Sequence, residues 1–267
     1  MKSLVKFLLN FFPRTLLISI SNSIKPILNL VFTGSRFRDP INNKSYSYFF
    51  PYGYNIVRSF ALSPGTFSLE RHRLLWLYLK KETNFFNEES SILHVAPEQC
   101  FYTNFKSHFK KYITFDLESP LAEIKGDICN LPFNDNQFDF VLCNHVLEHV
   151  YNDQKAMNEI FRVLRKGGVA ILQVPIDYSK EKTFDGRDLD DKKLRNNLFG
   201  QYDHLRMYGK DYFKKLNKTG FRSVDVDYLS TLTKEEITKF SIKNAGTIPV
   251  CFKDWLYFSW IHQMSNL

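Results

Sequence analysis

Hydrophobic positions change their spacing along the chain, and each change predicts a different kind of element. Residues 1–35 alternate apolar clusters (LVKFLLNFF, TLLISI, ILNLVF) with single basic or polar residues, the pattern of amphipathic helices. Pro13 and Pro26 predict breaks between short helices, because proline lacks the amide hydrogen an inner helical turn needs. No uninterrupted apolar span reaches bilayer length there. Across residues 36–67 the period disappears. DPIN at Asp39–Asn42, NNK at Asn42–Lys44, PYG at Pro51–Gly53 and SPGT at Ser63–Thr66 set turns between short aromatic runs, which predicts a small hairpin module. Ser68 then caps a helix running through Lys81, with Glu70 in its first turn and lysines in its last, as the helix dipole prefers.

From Ile92 onward short apolar runs alternate with helical periodicity: ILHVA, a helix to about Lys110, YITF, FDFVLCN, KAMNEIFRVLRK and GGVAILQVP. Strands alternating with helices predict an α/β fold, a doubly wound and mostly parallel sheet with right-handed crossovers. FDFVLC and VAILQV are almost wholly apolar, as strands covered on both faces must be. GKDYFKKLNKTG reads as a helix closed by Gly220, FRSVDVDYL as a strand, TKEEITKFSI as a helix and IPVCF as a last strand. The charged run Ser179–Asn197 is too polar for a core and is expected to be a mobile, solvated insertion near the strand ends. The expected organisation is residues 1–35 as an amphipathic helical segment, 36–67 as a ribbon-like hairpin module, 68–253 as the α/β domain and 254–267 as an aromatic tail.

Charge sharpens the picture at one end. The net charge is +8, and before Asp39 there are Lys2, Lys6, Arg14, Lys25, Arg36 and Arg38 with no acidic residue. Such a segment either lies at an anionic membrane surface, apolar side inward, or packs on the domain. Lys6, Pro13 and Arg14 interrupt the apolar core a secretory signal would need. Nucleic acid is not an expected partner, since the basic excess is not spread along a folded face. The four cysteines are widely separated with no CxxC pair, which fits neither a disulfide framework nor a cysteine zinc site and suits a reducing cytoplasm, with attachment to the inner membrane face as a further expectation.

Ligands of doubly wound sheets bind beyond the carboxyl ends of the strands, beside the first strand. Polar residues converge there. Asp116, followed by Leu117, ends YITF, where a carboxylate can accept both hydroxyls of a ribose. GDICNLPF puts Asp127 near an exocyclic amine, with Ile128 and Leu131 able to sandwich a flat base. FDFVLCNHVLEHV puts Asn144 and His145 at a strand end, with Glu148 and His149 one turn later. Singly, each of these acids is as readily a helix cap or turn former.

In this order, the strand–Asp116–Asp127–LPF–FDFVLCNHVLEHV–LRKGG series over about Ile92 to Phe252 resembles the class I, Rossmann-like S-adenosylmethionine-dependent methyltransferases, which implies a seven-stranded sheet. The resemblance implies ribose binding by Asp116, adenine contacts from Asp127 with Ile128, and approach of Asn144 and His145 to the methionine part. Family members usually carry an acidic residue and a G-x-G-x-G turn after the first strand; here His94, Ala96, Glu98 and Cys100 stand at those positions. The loop must therefore follow another path, with Ala96, Pro97 and Glu98 lining the cofactor and Glu98 facing its ammonium. SLERHRLLWLYLKK, LHVAPEQCF and FGQYDHLRMYG together resemble a bacterial subfamily with this glycine-free loop. Its relatives often carry a two-knuckle zinc ribbon where this chain has Asp39, Asn42, Ser63 and Thr66, so no metal is expected.

The implied activity is methyl transfer from S-adenosylmethionine to a small-molecule or lipid- or sugar-linked acceptor, with a non-catalytic scaffold on the same fold as the alternative. A nicotinamide cofactor is disfavoured, because without glycines the loop backbone cannot approach a pyrophosphate. Candidate bases are His145, His149 and His204, and His204, Arg206 and Tyr208 are expected to face the acceptor. Arg71 and Arg73 in the ERHR helix are expected to be structural.

Overall fold

The computed structural model describes residues 14–53 and 56–254; the expectations for residues 1–13 and for the aromatic tail from residue 255 fall outside them. The central sheet has seven strands: β5 (Ser91–Val95), β6 (Lys111–Asp116), β7 (Ile124–Lys125), β8 (Phe138–Cys143), β9 (Leu164–Ile171), β12 (Arg222–Val226) and β13 (Ile248–Phe252). Their order is β12-β13-β9-β8-β5-β6-β7. β9, β8, β5, β6 and β7 run parallel, and β13 is antiparallel to both neighbours. Every residue of β5 and β13 is buried, the apolar run expected of strands with helices on both faces.

Helices α2 (Glu70–Glu82) and α3 (Gln99–His108) cover one face, where the Trp76 indole stacks on Phe105 with ring centroids 5.7 Å apart. Helices α4 (Asp153–Val163) and α6 (Tyr212–Thr219) cover the other through Met157, Ile160 and Leu216. Helix α7 (Lys234–Phe240) precedes β13 and opens on a reciprocal Thr233–Glu236 capping box.

Between residues 33 and 62 the chain forms two hairpins, β1 (Thr33–Asp39) with β2 (Lys44–Tyr46) and β3 (Phe50–Tyr52) with β4 (Arg58–Leu62). Of Asp39, Asn42, Ser63 and Thr66, Asp39 is fully buried and accepts from the Thr66 and Ser68 hydroxyls and the Ile41 amide. Asn42 donates to the Tyr46 hydroxyl, and Gly65 lets that hydroxyl approach, because a Cβ there would sit 1.9 Å from it. These hydrogen bonds tie the first hairpin to the segment after β4. Arg73 fastens the module to the domain. Its buried guanidinium donates to the carbonyls of Ala61, Ser68, Phe240 and Ser241 and lies 4.7 Å from the Phe49 ring centre.

Two expectations are corrected. Helix α1 (Arg14–Val31) runs unbroken through Pro26. Proline in a helix interior costs roughly 3 kcal/mol; here contacts on both sides of it hold the turn. Gln99 donates to Ser21 and Asn22, the Lys25 ammonium lies 5.5 Å from the Phe67 ring centre, and Tyr46 donates to Asn29. Those inward contacts are polar, while Leu16, Ile20, Ile24, Ile27, Leu30 and Val31 are exposed. Among the described residues no helix is long and apolar enough to cross a membrane.

The charged run after Ser179 is likewise folded. β10 (Phe184–Asp185) pairs with β11 (Arg206–Met207), and α5 (Lys192–Phe199) is capped by Asp191 and closed by left-handed Gly200. Buried Phe199, packed on Phe184, anchors it.

Candidate functional site

The chain leaves β5 toward β6 on one side and returns to β8 on the other, so the loops after β5 and β8 diverge and leave a crevice at the carboxyl edge. Ala96, the first residue after β5, has φ 49°, and His145, the second after β8, has φ 54°. Left-handed conformations cost non-glycine residues about 1–3 kcal/mol each, and they persist where surrounding structure enforces them. Here the Ala96 amide donates to Phe115 and the His145 amide to Gln173, each from the neighbouring strand. The conformation a glycine would supply is present without the glycine.

Glu98 is the N-cap residue of α3, yet its side chain makes no capping bond. Instead it spans the crevice, pairing with His94 on β5 and accepting from Asn144 Nδ2 at 3.0 Å. Burial alone would raise its carboxyl, but the His94 ring, His72 and the Asn144 amide outweigh burial and hold the group at about 2. A fixed anion therefore stands at the crevice floor. Cys100, the second residue of α3, is buried, and burial pushes its thiol well above the ordinary range. That is an inert packing cysteine rather than a reactive one.

Asp116 ends β6 half-buried; its Oδ1 accepts from the Glu118 and Ser119 amides, leaving Oδ2 for a ligand. The next residue, Leu117, is 66% exposed, a free apolar surface above the strand ends. Asp127 is exposed and caps its own turn through the Cys129 amide at 2.8 Å. Ile128 and Leu131 are buried with Phe115 and Phe138, so they support that turn from beneath and cannot sandwich a base as their spacing suggests.

A cavity of about 160 Å³ opens beyond β8, β9 and β13, lined by Arg71, His145, Gln173, Tyr178 and Thr247 among others. His145 Nδ1 lies 3.3 Å from Glu148 Oε1, and the Glu148 carboxyl is held below its usual range: burial raises it, but the adjacent imidazoles of His145 and His149 outweigh burial. Arg71 departs from expectation. Glu70 pairs with Arg58, not with its neighbour, and the Arg71 Nε is buried without a partner. Its guanidinium faces the cavity. Only the fold reveals this, whereas Gln173, a lone polar residue closing the apolar run VAILQ, is visible in the sequence. Its Oε1 is buried and unpaired.

Three residues expected at the acceptor are placed elsewhere. Arg206 is 1% exposed and donates to the carbonyls of Leu147, Val150 and Tyr151, so it organises the turn after β8 and has no surface left for a ligand. Tyr208 is fully buried, its hydroxyl on Asp153 and Leu147. His204 is buried with Nδ1 on the Phe199 carbonyl, packed edge-on against His149, and neither ring lines the cavity. Of the three candidate bases the structure brings His145 to the crevice.

Residues 91–172 match the family described as "Methyltransferase domain". Uncharacterized protein MJ1123 of Methanocaldococcus jannaschii is 28% identical over 150 residues, covering 52% of this chain and 69% of that protein. A demethylmenaquinone methyltransferase of Staphylococcus epidermidis is 42% identical over 61 residues, 23% of this chain and only 25% of that enzyme. Among solved structures, the [4+2]-cyclase SpnF superposes with a TM-score of 0.50 at 14% identity, covering 88% of this chain and 96% of its own, a likeness of fold alone.

Proposed function

We propose, from the match of residues 91–172 to the methyltransferase-domain family, that the chain binds S-adenosylmethionine and transfers its methyl group to a hydroxyl-bearing acceptor with an anionic group. The observation that carries this reading is the division of the crevice. Asp116, Leu117 and Asp127 stand on one side of β5, and the cavity with Arg71 and His145 on the other.

When bound, the cofactor supplies an electrophilic methyl on a sulfonium. Asp116 would hold the ribose through its free oxygen, and Asp127 and Leu117 would bracket the base. Glu98 and Asn144 would meet the charged methionine end, Ala96 and Pro97 lining its approach. Methyl transfer depends mainly on alignment, and a proton must leave only if the acceptor carries one. His145, oriented by Glu148, is placed to take it. Arg71 offers an unpaired cation to a carboxylate or phosphate entering the cavity.

Isothermal titration of the full chain with S-adenosylmethionine and S-adenosylhomocysteine tests the reading. One-to-one binding in the micromolar to sub-millimolar range is expected. No heat at millimolar ligand would leave a non-catalytic scaffold.

The acceptor is further proposed to be lipid- or sugar-linked and met at a membrane surface. Helix α1 supports this: it turns polar residues toward the protein and leaves Ile27 at 62% and Leu30 at 80% exposure, in a segment that carries basic residues and no acidic ones. Ile24→Ser with Ile27→Ser should lower co-sedimentation with anionic vesicles at least fivefold. Unchanged pelleting would assign that face to another role.

A further inference from the structure

Glu148, His149 and His204 come from two segments that meet where the turn after β8 touches the excursion between β10 and β11; the Leu205 amide donates to the Glu148 carbonyl at 2.8 Å. One nitrogen or oxygen from each of the three side chains lies within 4.8 Å of the other two. No ribbon cysteine or HxxH spacing announces this set, because His204 is more than fifty positions from its partners.

Both rings are arranged as metal-binding imidazoles are. His149 Nδ1 lies 3.2 Å from the Asp203 carbonyl, and His204 Nδ1 lies 3.1 Å from the Phe199 carbonyl. A carbonyl at Nδ1 fixes the proton there and leaves Nε2 with its lone pair, the usual outer support of a ligating histidine. The carboxylate supplies the second observation. Glu148 is 1% exposed, and its Oε2 has neither a hydrogen-bond partner nor contact with water. His145 stands against Oε1 alone. A buried carboxylate oxygen without a partner is costly, and a cation offsets that cost.

We propose that Glu148, His149 and His204 bind one divalent transition-metal ion of the zinc class. Two imidazoles and one carboxylate are a donor set suited to zinc or cobalt, with at least one coordination position left for water. Ligands about 2.1 Å from a tetrahedral ion are roughly 3.4 Å apart, so the three groups must draw together by somewhat more than 1 Å. The His149 side chain, one-third exposed, has the freedom to do so. The ion would clip the β10–β11 excursion to the turn that carries His145, and through Glu148 it would reach the same carboxylate that orients that ring. The proposal is independent of the cofactor and of methyl transfer.

Titration of the untagged, metal-stripped full chain with Co²⁺ and Zn²⁺ tests it. Expected are one saturable equivalent of Zn²⁺ by calorimetry, visible Co²⁺ ligand-field bands without thiolate charge-transfer bands, and a rise in melting temperature with Zn²⁺. His149→Ala and Glu148→Gln should each weaken Zn²⁺ binding at least tenfold, while His108→Ala, whose ring is on the Phe86 carbonyl, should not. Because His204 is buried and its variants could misfold, His149, one-third exposed, carries the decision. Absence of a saturable site, thiolate bands, or Zn²⁺ affinity unchanged in His149→Ala would each overturn the site.

Discussion

Arg206→Ala is expected to destabilise the protein by about 3–5 kcal/mol, because three carbonyls of the turn after β8 lose their donors at once and stay buried. For a chain of this length that is on the order of a 10 °C fall in melting temperature. The loss spreads further. Arg206 Nε lies 3.7 Å from Asp153, which also accepts from Tyr208 and Lys215, so one substitution removes a cation from a buried acidic centre. Arg206→Lys should recover less than half, since an ammonium cannot reach Leu147, Val150 and Tyr151 together as the planar guanidinium does. Differential scanning calorimetry on the three proteins decides the matter. Had Arg206 gripped an acceptor, the alanine variant would melt within a degree or two of the parent.

Asp116→Ala is expected to weaken S-adenosylhomocysteine binding by about 30-fold or more, roughly 2 kcal/mol, the loss of charge-assisted bonds to a ribose diol. The substitution also removes the acceptor for the Glu118 and Ser119 amides. Asp116→Asn therefore serves beside it: it keeps an oxygen for the turn, loses the charge, and should fall between parent and alanine in affinity with little change in melting. His145→Ala gives the contrast. If His145 serves the acceptor, the cofactor product should bind within about threefold of the parent, and an effect as large as that of Asp116→Ala would make His145 a cofactor group. Equal affinity in parent and Asp116→Ala would refute the placement of the ribose.

Much of the site's skeleton is legible in the sequence. Asp116, Asp127 and Asn144 stand at strand or loop ends because apolar runs stop there, and the run lengths themselves mark the buried strands. Glu98 was legible as a helix-opening residue, but not as a bridge to Asn144, since that contact joins the segments that follow two strands adjacent in the sheet, 46 positions apart in sequence. FGQYDHLRMYG misled for a related reason. A cluster of His, Arg and Tyr looks like ligand-gripping chemistry, and only the packing shows Arg206 and Tyr208 satisfying buried backbone and Asp153 instead.

What the sequence determined by itself is periodic and local: the α/β alternation, the strand ends and their acids, the left-handed closure at Gly220, and a first loop that must manage without glycine. Tertiary structure alone decided the matters of pairing. It made one helix of residues 14–31 despite Pro26 and folded the charged run around Phe199. It paired Glu70 with Arg58, so that Arg71 is left facing the cavity, and it brought His204 beside His149 and Glu148. Local preference is written in neighbouring residues, whereas the partner of a charge or lone pair is set by which surfaces the sheet brings together.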